Sequence, residues 1–346
     1  MIPLRVIDFG KVSSLRSQTI WHALAASVGR GAPMTLSFMR PDTSYVGIGL
    51  HRSIEEIDRS YCESEGLAII RRQVGGGPVY LDENQLFFQI AVDRDALPRS
   101  RSAAIDSLLR PLTEAFRAAG VNADLDSNGE FSVDGAKVCG HGAGEIGDGV
   151  VVVGNLIENF DAKRASAILN TGSDWIKTQV TELMQRYVGS FAAPVNPREF
   201  ILAARSSLAR AFDARAFDGV LSGEEWDEVA KFDELLGDQS WTAEPEFLPA
   251  PPRPMRIIKI RAGVYVVYRT SLGPPFFFST IFGRIGSMAL GGSDLRHPDV
   301  AEVASGEELG VAVSALVERG YLTDAELSAL FNAGVLTKEA TAQWVA

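Results

Sequence analysis

The stretch that decides the fold is RRQVGGGPVYLDENQLFFQ, residues 71–89. Two arginines precede three consecutive glycines, and a strand-like apolar run follows. Glycine loses more backbone freedom on folding than any other residue, so three in a row are costly unless something must approach the backbone closely. Bare amides can line a concavity for an anion, and arginine forks match phosphate oxygens. The residues alone leave two interpretations open, a ligand-binding loop and a flexible loop between strands.

The composition is typical of a soluble globular protein. The chain has 346 residues, of which 46% are hydrophobic and 22% charged. Its net charge of -11 argues against nucleic-acid binding, which needs a basic face. No apolar run is long enough to predict a membrane span, and the start, MIPLRVIDFGKV, lacks the pattern of a signal peptide. With only two cysteines, Cys62 and Cys139, we expect a cytoplasmic protein without a disulfide framework.

A proline-rich segment, LPAPPRPMR at 248–256, is the clearest break in composition. Proline-rich segments are extended and semi-rigid, which is typical of linkers. The sequence therefore predicts a domain over 1–247, a linker at about 248–254 and a smaller domain over 255–346.

Strands and helices do not alternate regularly along the first part of the chain. Apolar runs predict strands at 34–39, 67–70 and 86–92, and an amphipathic pattern predicts a helix over 102–119, kinked at Pro111. Capping-box spacing predicts helices that begin at Ser53, Ser222 and Thr323, and Gly66 is the predicted end of the first. Adjacent antiparallel strands are expected, so the fold class is α+β with mixed and antiparallel sheets. The part after the prolines predicts a small α+β domain of its own.

A second pattern is FSVDGAKVCG, residues 131–140, where Asp134-Gly135 between short apolar runs is a strong hairpin signal. Lys137 follows the turn and can either point its charge into a pocket or face solvent. The next segment, GHGAGEIGDG at 140–149, fits a mobile flap or a long hairpin loop. Cys139 fits an activated nucleophile or a small half-buried side chain. The four histidines show no metal-ligand spacing.

Taken together, RRQVGGGPVYLDENQLFFQ, VDGAKVCG at 133–140 and GVVVVGNLIENFD at 149–161 resemble the lipoate–protein ligases of the biotin/lipoate protein ligase superfamily. Further segments at 39–72, 169–185 and 221–242 are similar to the same family, and the part after the prolines is similar to its small accessory domain. The sequence departs from the family pattern at Leu81, where histidine is usual, and at Cys139, where serine is usual.

The resemblance implies an ATP-dependent ligase with a two-domain α+β fold. Lipoate or octanoate attacks the α-phosphate of ATP to give an acyl-adenylate, and a lysine of an acceptor lipoyl domain then takes the acyl group. The acceptor is a 2-oxoacid dehydrogenase E2, a glycine-cleavage H-like protein or another lipoate-binding protein. Lys137 is implied as the catalytic residue, and Asp82 as a group that helps to organise Mg²⁺. The residues implied to bind ATP and lipoyl-AMP are Arg71, Arg72, Gly75, Gly76, Gly77, Pro78, Val79, Tyr80, Asp82 and Lys137.

Two alternatives accompany this interpretation. An octanoyltransferase of the same superfamily uses a cysteine thioester and no ATP, but the positions of its nucleophile are here occupied by 170–172 and by Leu125-Asp126. A non-catalytic lipoate-binding module keeps the fold without the reaction.

Overall fold

The structure is a computed structural model that describes residues 2–126, 129–189, 195–243, 255–269, 273–290 and 308–336. Short 3-10 turns occur at Ile54–Glu56 and Arg94–Ala96. The other elements, in chain order, are β1 (Ile2–Val12), α1 (Arg16–Val28), β2 (Met34–Pro41), β3 (Tyr45–Ile48), α2 (Arg59–Ser64), β4 (Ala68–Arg71), β5 (Val79–Leu81), β6 (Gln85–Asp93), α3 (Arg101–Leu109), α4 (Leu112–Ala118), β7 (Asp124–Leu125), β8 (Phe131–Val133), β9 (Ala136–Lys137), β10 (His141–Ile146), β11 (Gly149–Ile157), α5 (Ala162–Ala167), α6 (Asp174–Tyr187), α7 (Pro197–Ala211), β12 (Ala214–Asp218), α8 (Gly223–Gly237), α9 (Gln239–Ala243), β13 (Arg256–Arg261), β14 (Val264–Arg269), β15 (Phe276–Ile281), β16 (Arg284–Leu290), α10 (Leu309–Glu318) and α11 (Asp324–Asn332).

The chain divides into two compact units. The first contains Met1–Leu169 and Gly189–Leu248, and the second contains Asn170–Val188 and Pro249–Ala346. Helix α6 therefore groups with the later strands, whereas the sequence predicts it within a domain over 1–247. The proline-rich linker predicted at 248–254 lies outside the described residues.

A six-stranded sheet forms the centre of the first unit, in the order β10-β11-β6-β2-β1-β12. Strands β2 and β12 run parallel to β1, whereas β2, β6, β11 and β10 pair antiparallel. Apolar clusters cover both faces: α1 and α8 contribute to one, and α3, α4 and α7 to the other. The cover on both faces fits the valine run 150–153, in which Val150, Val151 and Val152 are buried and Val153 is half-buried.

Two smaller sheets carry the segments singled out by the sequence. Strands β4, β3 and β5 form one, and the second arginine of the quoted stretch leaves it directly after β4. Strands β7, β8 and β9 form the other, which contains the predicted hairpin. The mixed and antiparallel sheets confirm the predicted α+β class.

Several local predictions agree with the structure. Helices α3 and α4 are separated at Pro111, and capping boxes begin α8 and α11 at Ser222 and Thr323. The predicted helix over 53–66 is wrong in extent, because Asp58 caps a shorter helix at its own start. The segment 140–149 contains β10 and the turn into β11. It forms an ordered hairpin, and not the mobile flap that was one interpretation of the sequence.

The second unit is built on the antiparallel sheet β13-β14-β15-β16. Its apolar cluster joins the sheet to α10 and α11. Helix α6 places Trp175 edge-on to Phe277, with ring centroids 4.7 Å apart. Among the helices of the described residues, none has the length and apolar character needed to cross a bilayer.

A buried ion pair joins β1 to α8 in the first unit. The Arg5 guanidinium bonds both carboxylate oxygens of Glu225, at 2.7 Å for the Nη1–Oε2 contact, and also binds Thr35. Arg5 and Glu225 are 6% and 4% exposed, so neither charge can be satisfied by water if the other is lost. Burial raises the pKa of Glu225, but hydrogen bonds from Arg5 and Ser222 bring that pKa below its ordinary value.

We predict that Glu225→Gln lowers the free energy of unfolding by about 3 kcal/mol, because the buried guanidinium loses its counter-charge. The exposed neighbour Glu224→Gln is the matched control and should change the free energy by less than about 0.5 kcal/mol. Chemical denaturation at neutral pH measures both. Equal losses of stability in the two variants would show that the Arg5–Glu225 ion pair does not stabilise the fold.

Candidate active site around the glycine loop

Arg71 ends β4 and its side chain is buried, with 1% exposed. Its guanidinium donates to six backbone carbonyl oxygens in two groups. One group belongs to Gly49, Leu50 and Arg52, at 2.6–3.1 Å. The other belongs to residues 241–243 of α9, at 2.9–3.4 Å. With its N–H groups used in this way, Arg71 connects segments of the protein rather than presenting a fork to phosphate.

Arg72 is also buried, with 9% exposed, and its guanidinium turns back onto the glycine loop. Its Nη2 donates to the carbonyl oxygens of Gly75 and Gly77, each at 3.0 Å, and Nε donates to Gly75 at 3.3 Å. Burial lowers the pKa of Arg72 to about 10, so the guanidinium stays charged at neutral pH. Its Nη1 has no hydrogen-bond partner among the described residues.

Two close contacts require glycine at Gly76 and at Gly49. Gly76 has a φ of +104°, and a Cβ there would lie 2.7 Å from Nη2 of Arg72. A Cβ on Gly49 would collide with the carbonyl oxygen of Gly76. By contrast, a Cβ on Gly75 or Gly77 would meet nothing within 4 Å. Glycine is therefore required at 76, because Arg72 and the backbone of Gly49 lie against it. The positions of Gly75 and Gly77 have open space where a side chain would begin.

The backbone N–H groups of Gly75, Gly76 and Gly77 are further polar groups of the loop. Within the described part of the chain, the N–H groups of Gly75, Gly76 and Gly77 donate no hydrogen bond, and all three residues are exposed or half-buried. Arg72 holds the carbonyl oxygens of Gly75 and Gly77. In a trans peptide the N–H of Gly76 points opposite to the Gly75 carbonyl group and so away from Arg72, whereas Gly77 is followed by Pro78, which has no N–H. The N–H groups of the loop are available to a ligand because they have no acceptor in the described part of the chain. Consecutive free amides of this kind bind anions.

His22 fixes the start of the loop from α1. The Gln73 amide donates to its Nε2 at 3.0 Å, so the proton of the neutral ring is on Nδ1, which donates to the Gln18 carbonyl at 2.7 Å. The ring is fully buried and stacks on Trp21 with centroids 3.5 Å apart. Burial, opposed by the Gln18 hydrogen bond and aided by the charge of Arg72, lowers the pKa of His22 to about 3.

Lys137 lies on β9, immediately after the Asp134-Gly135 turn. Both turn residues have positive φ, 48° and 80°, as the hairpin pattern predicts. The Lys137 ammonium group donates to Glu130 Oε1 at 3.2 Å. The Glu130 side chain is 2% exposed and that of Lys137 is 18% exposed. The ion pair holds the ammonium group in place, and part of the Lys137 side chain remains accessible to solvent.

A chain of buried amides joins the end of the loop segment to the lysine hairpin. Gln85 donates through Nε2 to Asp82 Oδ1 at 3.3 Å and accepts from Asn155 at 2.6 Å. Asn155 Oδ1 in turn accepts from the Gly140 amide at 2.6 Å. Asp82 also accepts from the Asn84 amide and is 4% exposed, and burial raises the pKa of its carboxyl group. In this arrangement Asp82 stabilises a turn and is not presented to a metal ion.

Strand β10 lies between the two motifs. The methyl groups of Val74, inside the glycine loop, lie where a Cβ on Gly142 or Gly144 would point. At the start of the strand, the His141 ring lies 3.7 Å from the Cβ position of Gly129, next to Glu130. The structure therefore brings the RR-x-x-GGG loop and Lys137 to neighbouring parts of one unit. Gly144 makes room for Val74, whose Cγ1 would lie 2.4 Å from a Cβ at that position.

The remaining predicted residues differ in how accessible they are. Val79 is 38% exposed, and Pro78 is half-buried beside the loop. Tyr80 is buried, and its hydroxyl group bonds Ser44 and Arg164 at 3.0 and 3.3 Å, so the hydroxyl serves packing against α5. Among the described residues, no cluster of three or more His, Cys, Asp or Glu side chains could hold a metal ion.

Three residues that fix the site are absent from the sequence-based candidates: His22, Gln85 and Asn155. Each is a buried polar residue whose partner lies far along the chain, at separations of 51 residues for His22–Gln73 and 70 for Asn155–Gln85. The only local signal is an amide or imidazole within an apolar pattern, which does not identify a partner.

We predict that Gly76→Ala lowers the free energy of unfolding by about 1–3 kcal/mol, because it strains a positive φ and displaces the Arg72 guanidinium. Gly77→Ala is the matched control. Its Cβ meets open space, so a change below about 0.5 kcal/mol is expected. Denaturant titration of both variants checks this, and a Gly76→Ala variant as stable as wild type would contradict the loop geometry.

The His22 ring should stay neutral, with its proton on Nδ1, at pH 5. Because its folded pKa lies below the ordinary 6.5, the unfolded chain takes up this proton first, and the contribution of His22 to stability falls as pH drops from about 6.5 towards 3. Imidazole ¹⁵N shifts across pH 7 to 4.5 give the protonation state directly, with exposed His51 as an internal reference. An imidazolium signal from His22 at pH 5 would show that the ring does not accept the Gln73 amide.

Comparison with known proteins shows the family of the chain. Residues 16–212 match the family model of the lipoyl protein ligase A/B catalytic domain. Lipoate–protein ligase 1 of Staphylococcus aureus is 24% identical over 181 residues, which make up 52% of this chain and 54% of that protein. The chain thus matches about half the length of that curated relative.

Two solved structures share the fold. One is the bi-partite lipoate protein ligase of an archaeal lipoylation system, with its E2 lipoyl domain, from Thermoplasma acidophilum. It has a TM-score of 0.65 at 17% identity, covering 72% of this chain and 100% of that one. The other is lipoate-protein ligase A bound with ATP, with a TM-score of 0.60 at 18% identity, covering 70% of this chain and 99% of that one. Since the family model spans more than half of the sequence and includes both the glycine loop and Lys137, the chain belongs to the lipoyl protein ligase A/B catalytic domain family.

Proposed function

We propose that the chain is an ATP-dependent lipoate–protein ligase. It activates lipoate or octanoate to the acyl-adenylate and passes the acyl group to a lysine of a lipoyl domain. The observation that carries the proposal is the glycine loop, whose three N–H groups have no acceptor among the described residues, in one unit with Lys137. The names of the similar proteins, which include an ATP complex and an E2 lipoyl domain, support the substrates and the type of partner.

In the first half-reaction, a carboxylate oxygen of the acid attacks the α-phosphorus of ATP and pyrophosphate leaves. Negative charge grows on the phosphate oxygens, where the Lys137 ammonium group and the loop amides stabilise it. Glu130 limits the freedom of Lys137, so little reorganisation is needed when the charge develops. Lys137 is thus the proposed catalytic residue.

In the second half-reaction, the neutral amine of the acceptor lysine attacks the acyl carbonyl carbon and AMP leaves. The carbonyl oxygen becomes an oxyanion, and Lys137 stabilises it in the same way. The acceptor is a lipoyl domain of an E2 or H-like protein. Mg²⁺, when present, screens the charges of the ATP phosphates.

In the proposed mechanism, Arg71 and Arg72 act on the substrates indirectly. Both guanidinium groups bind carbonyl oxygens of the protein, so they shape the loop. Gly75 to Gly77 give the adenylate access to the backbone, and Pro78 and Val79 border it. Tyr80 and Asp82 support the strand and turn that follow.

The thioester mechanism of an octanoyltransferase is less consistent with the cysteines. Burial raises the pKa of the Cys139 thiol to about 12 and that of Cys62 to about 11, so neither forms an appreciable thiolate at neutral pH. Both are buried, with 0% and 1% exposed. A non-catalytic lipoate-binding module differs from a ligase in forming no adenylate.

Lipoate-dependent exchange of labelled pyrophosphate into ATP tests the proposal, because only adenylate formation supports it. We expect exchange by the wild-type protein and a loss of about 100-fold or more in Lys137→Ala, since one charge-stabilising group is removed. The exposed Lys163→Ala is the matched control and should keep wild-type exchange. Activity of Lys137→Ala within a few-fold of wild type would exclude its catalytic role, and no exchange by wild type with lipoate or octanoate would favour the binding module.

A further inference from the structure

Helix α9 is bonded to Arg71, the buried arginine at the end of β4, which lies four residues before the glycine loop. The Arg71 guanidinium donates to the carbonyl oxygens of Trp241, Thr242 and Ala243, and the Trp241 indole N–H donates back to the Arg71 carbonyl oxygen at 3.0 Å. The two segments are 170 residues apart in sequence. Every recorded acceptor of Arg71 is a backbone carbonyl oxygen, and the Glu56 carboxylate adds a nearby opposite charge.

The other acceptors of Arg71 bear directly on the loop. Gly49 packs against the backbone of Gly76, and the Leu50 amide donates to the Val74 carbonyl oxygen at 3.0 Å. Arg71 also binds the carbonyl oxygens of both Gly49 and Leu50, at 3.1 Å each. The same guanidinium therefore fixes α9 on one side and the segment supporting the loop on the other.

Helix α9 has only five residues, too few for a stable helix without tertiary contacts. A cation near the last carbonyl groups of a helix compensates the negative end of its dipole. Lysine cannot replace Arg71 here, because one ammonium group does not reach two separated groups of carbonyl oxygens as the planar guanidinium does. The arrangement thus depends on arginine at 71 and on the indole at 241.

We propose that α9 is a positioning element for the glycine loop and acts through Arg71, with Trp241 as the positioning residue that holds the arginine. The proposal deepens the ligase function above, because the loop it positions is the proposed adenylate site. Loosening α9 frees the 49–52 segment, and the loop then loses the backbone contacts of Gly49 and Leu50 that hold it in place.

Hydrogen exchange of the full chain without substrates tests the positioning itself. The probes are the amides of Leu50, Arg72 and Gln73, which are bonded to Val74, Ile48 and His22. We expect exchange at these amides to accelerate at least fivefold in Trp241→Ala and in Arg71→Lys. Trp226→Ala is the matched control, since Trp226 is a 45% exposed tryptophan on α8, and should change exchange less than twofold. The Ile90 amide in β6 reports global opening and should be unchanged in all three.

Two results would overturn the proposal. One is exchange at the three probe amides within twofold of wild type in both variants while the amides of α9 accelerate. The other is equal acceleration at Ile90, which would indicate general destabilisation. Trp241→Phe keeps the ring but lacks the indole N–H, so it should accelerate exchange less than Trp241→Ala.

A second readout connects the positioning to the reaction. In pyrophosphate exchange, Trp241→Ala should raise the KM for ATP at least fivefold, and Trp226→Ala should not. An unchanged KM for ATP in a variant with faster loop exchange would show that α9 does not position the nucleotide site. If wild type catalyses no exchange at all, the ligase function fails, whereas the hydrogen-exchange result still decides the positioning.

Discussion

Two adjacent buried arginines, bonded to backbone carbonyl oxygens, hold the site together. A buried charge without hydrogen-bond partners is strongly unfavourable, so the chain must supply acceptors to both guanidinium groups. Arg71 takes them from residues 49–52 and 241–243, and Arg72 takes them from the glycine loop itself. The path of the backbone around these two cations determines where the loop lies.

The chemistry that we propose follows from that arrangement. Arg72 holds the carbonyl oxygens of Gly75 and Gly77, and the N–H groups of the three loop glycines have no acceptor among the described residues. Lys137 adds a positive charge on a short hairpin, fixed by the carboxylate of Glu130. Donors that are already in place when negative charge develops stabilise a transition state most, because no reorganisation is needed. Rigidity at this loop is therefore a functional requirement.

Local patterns predicted much of the fold. The Asp134-Gly135 turn, the break at Pro111 and the Ser222 capping box depend on residues within four positions of each other, and all agree with the structure. The sequence alone does not distinguish a flexible glycine-rich segment from a packed one. Gly142 and Gly144 of β10 lie against Val74, and this packing partner is distant in sequence. For the same reason the sequence suggested phosphate binding by Arg71, whose carbonyl partners lie up to 172 residues away.

The central claim is that an acyl-adenylate binds between the glycine-loop amides and the Lys137 ammonium group. The most direct measurement is a crystal structure of the full chain with a non-hydrolysable lipoyl-adenylate analogue. We expect the group that replaces the phosphate to contact the amides of Gly75–Gly77 and Nζ of Lys137, with Arg72 still bonded to the carbonyl oxygens of Gly75 and Gly77. An analogue bound away from the loop and the lysine would contradict the account.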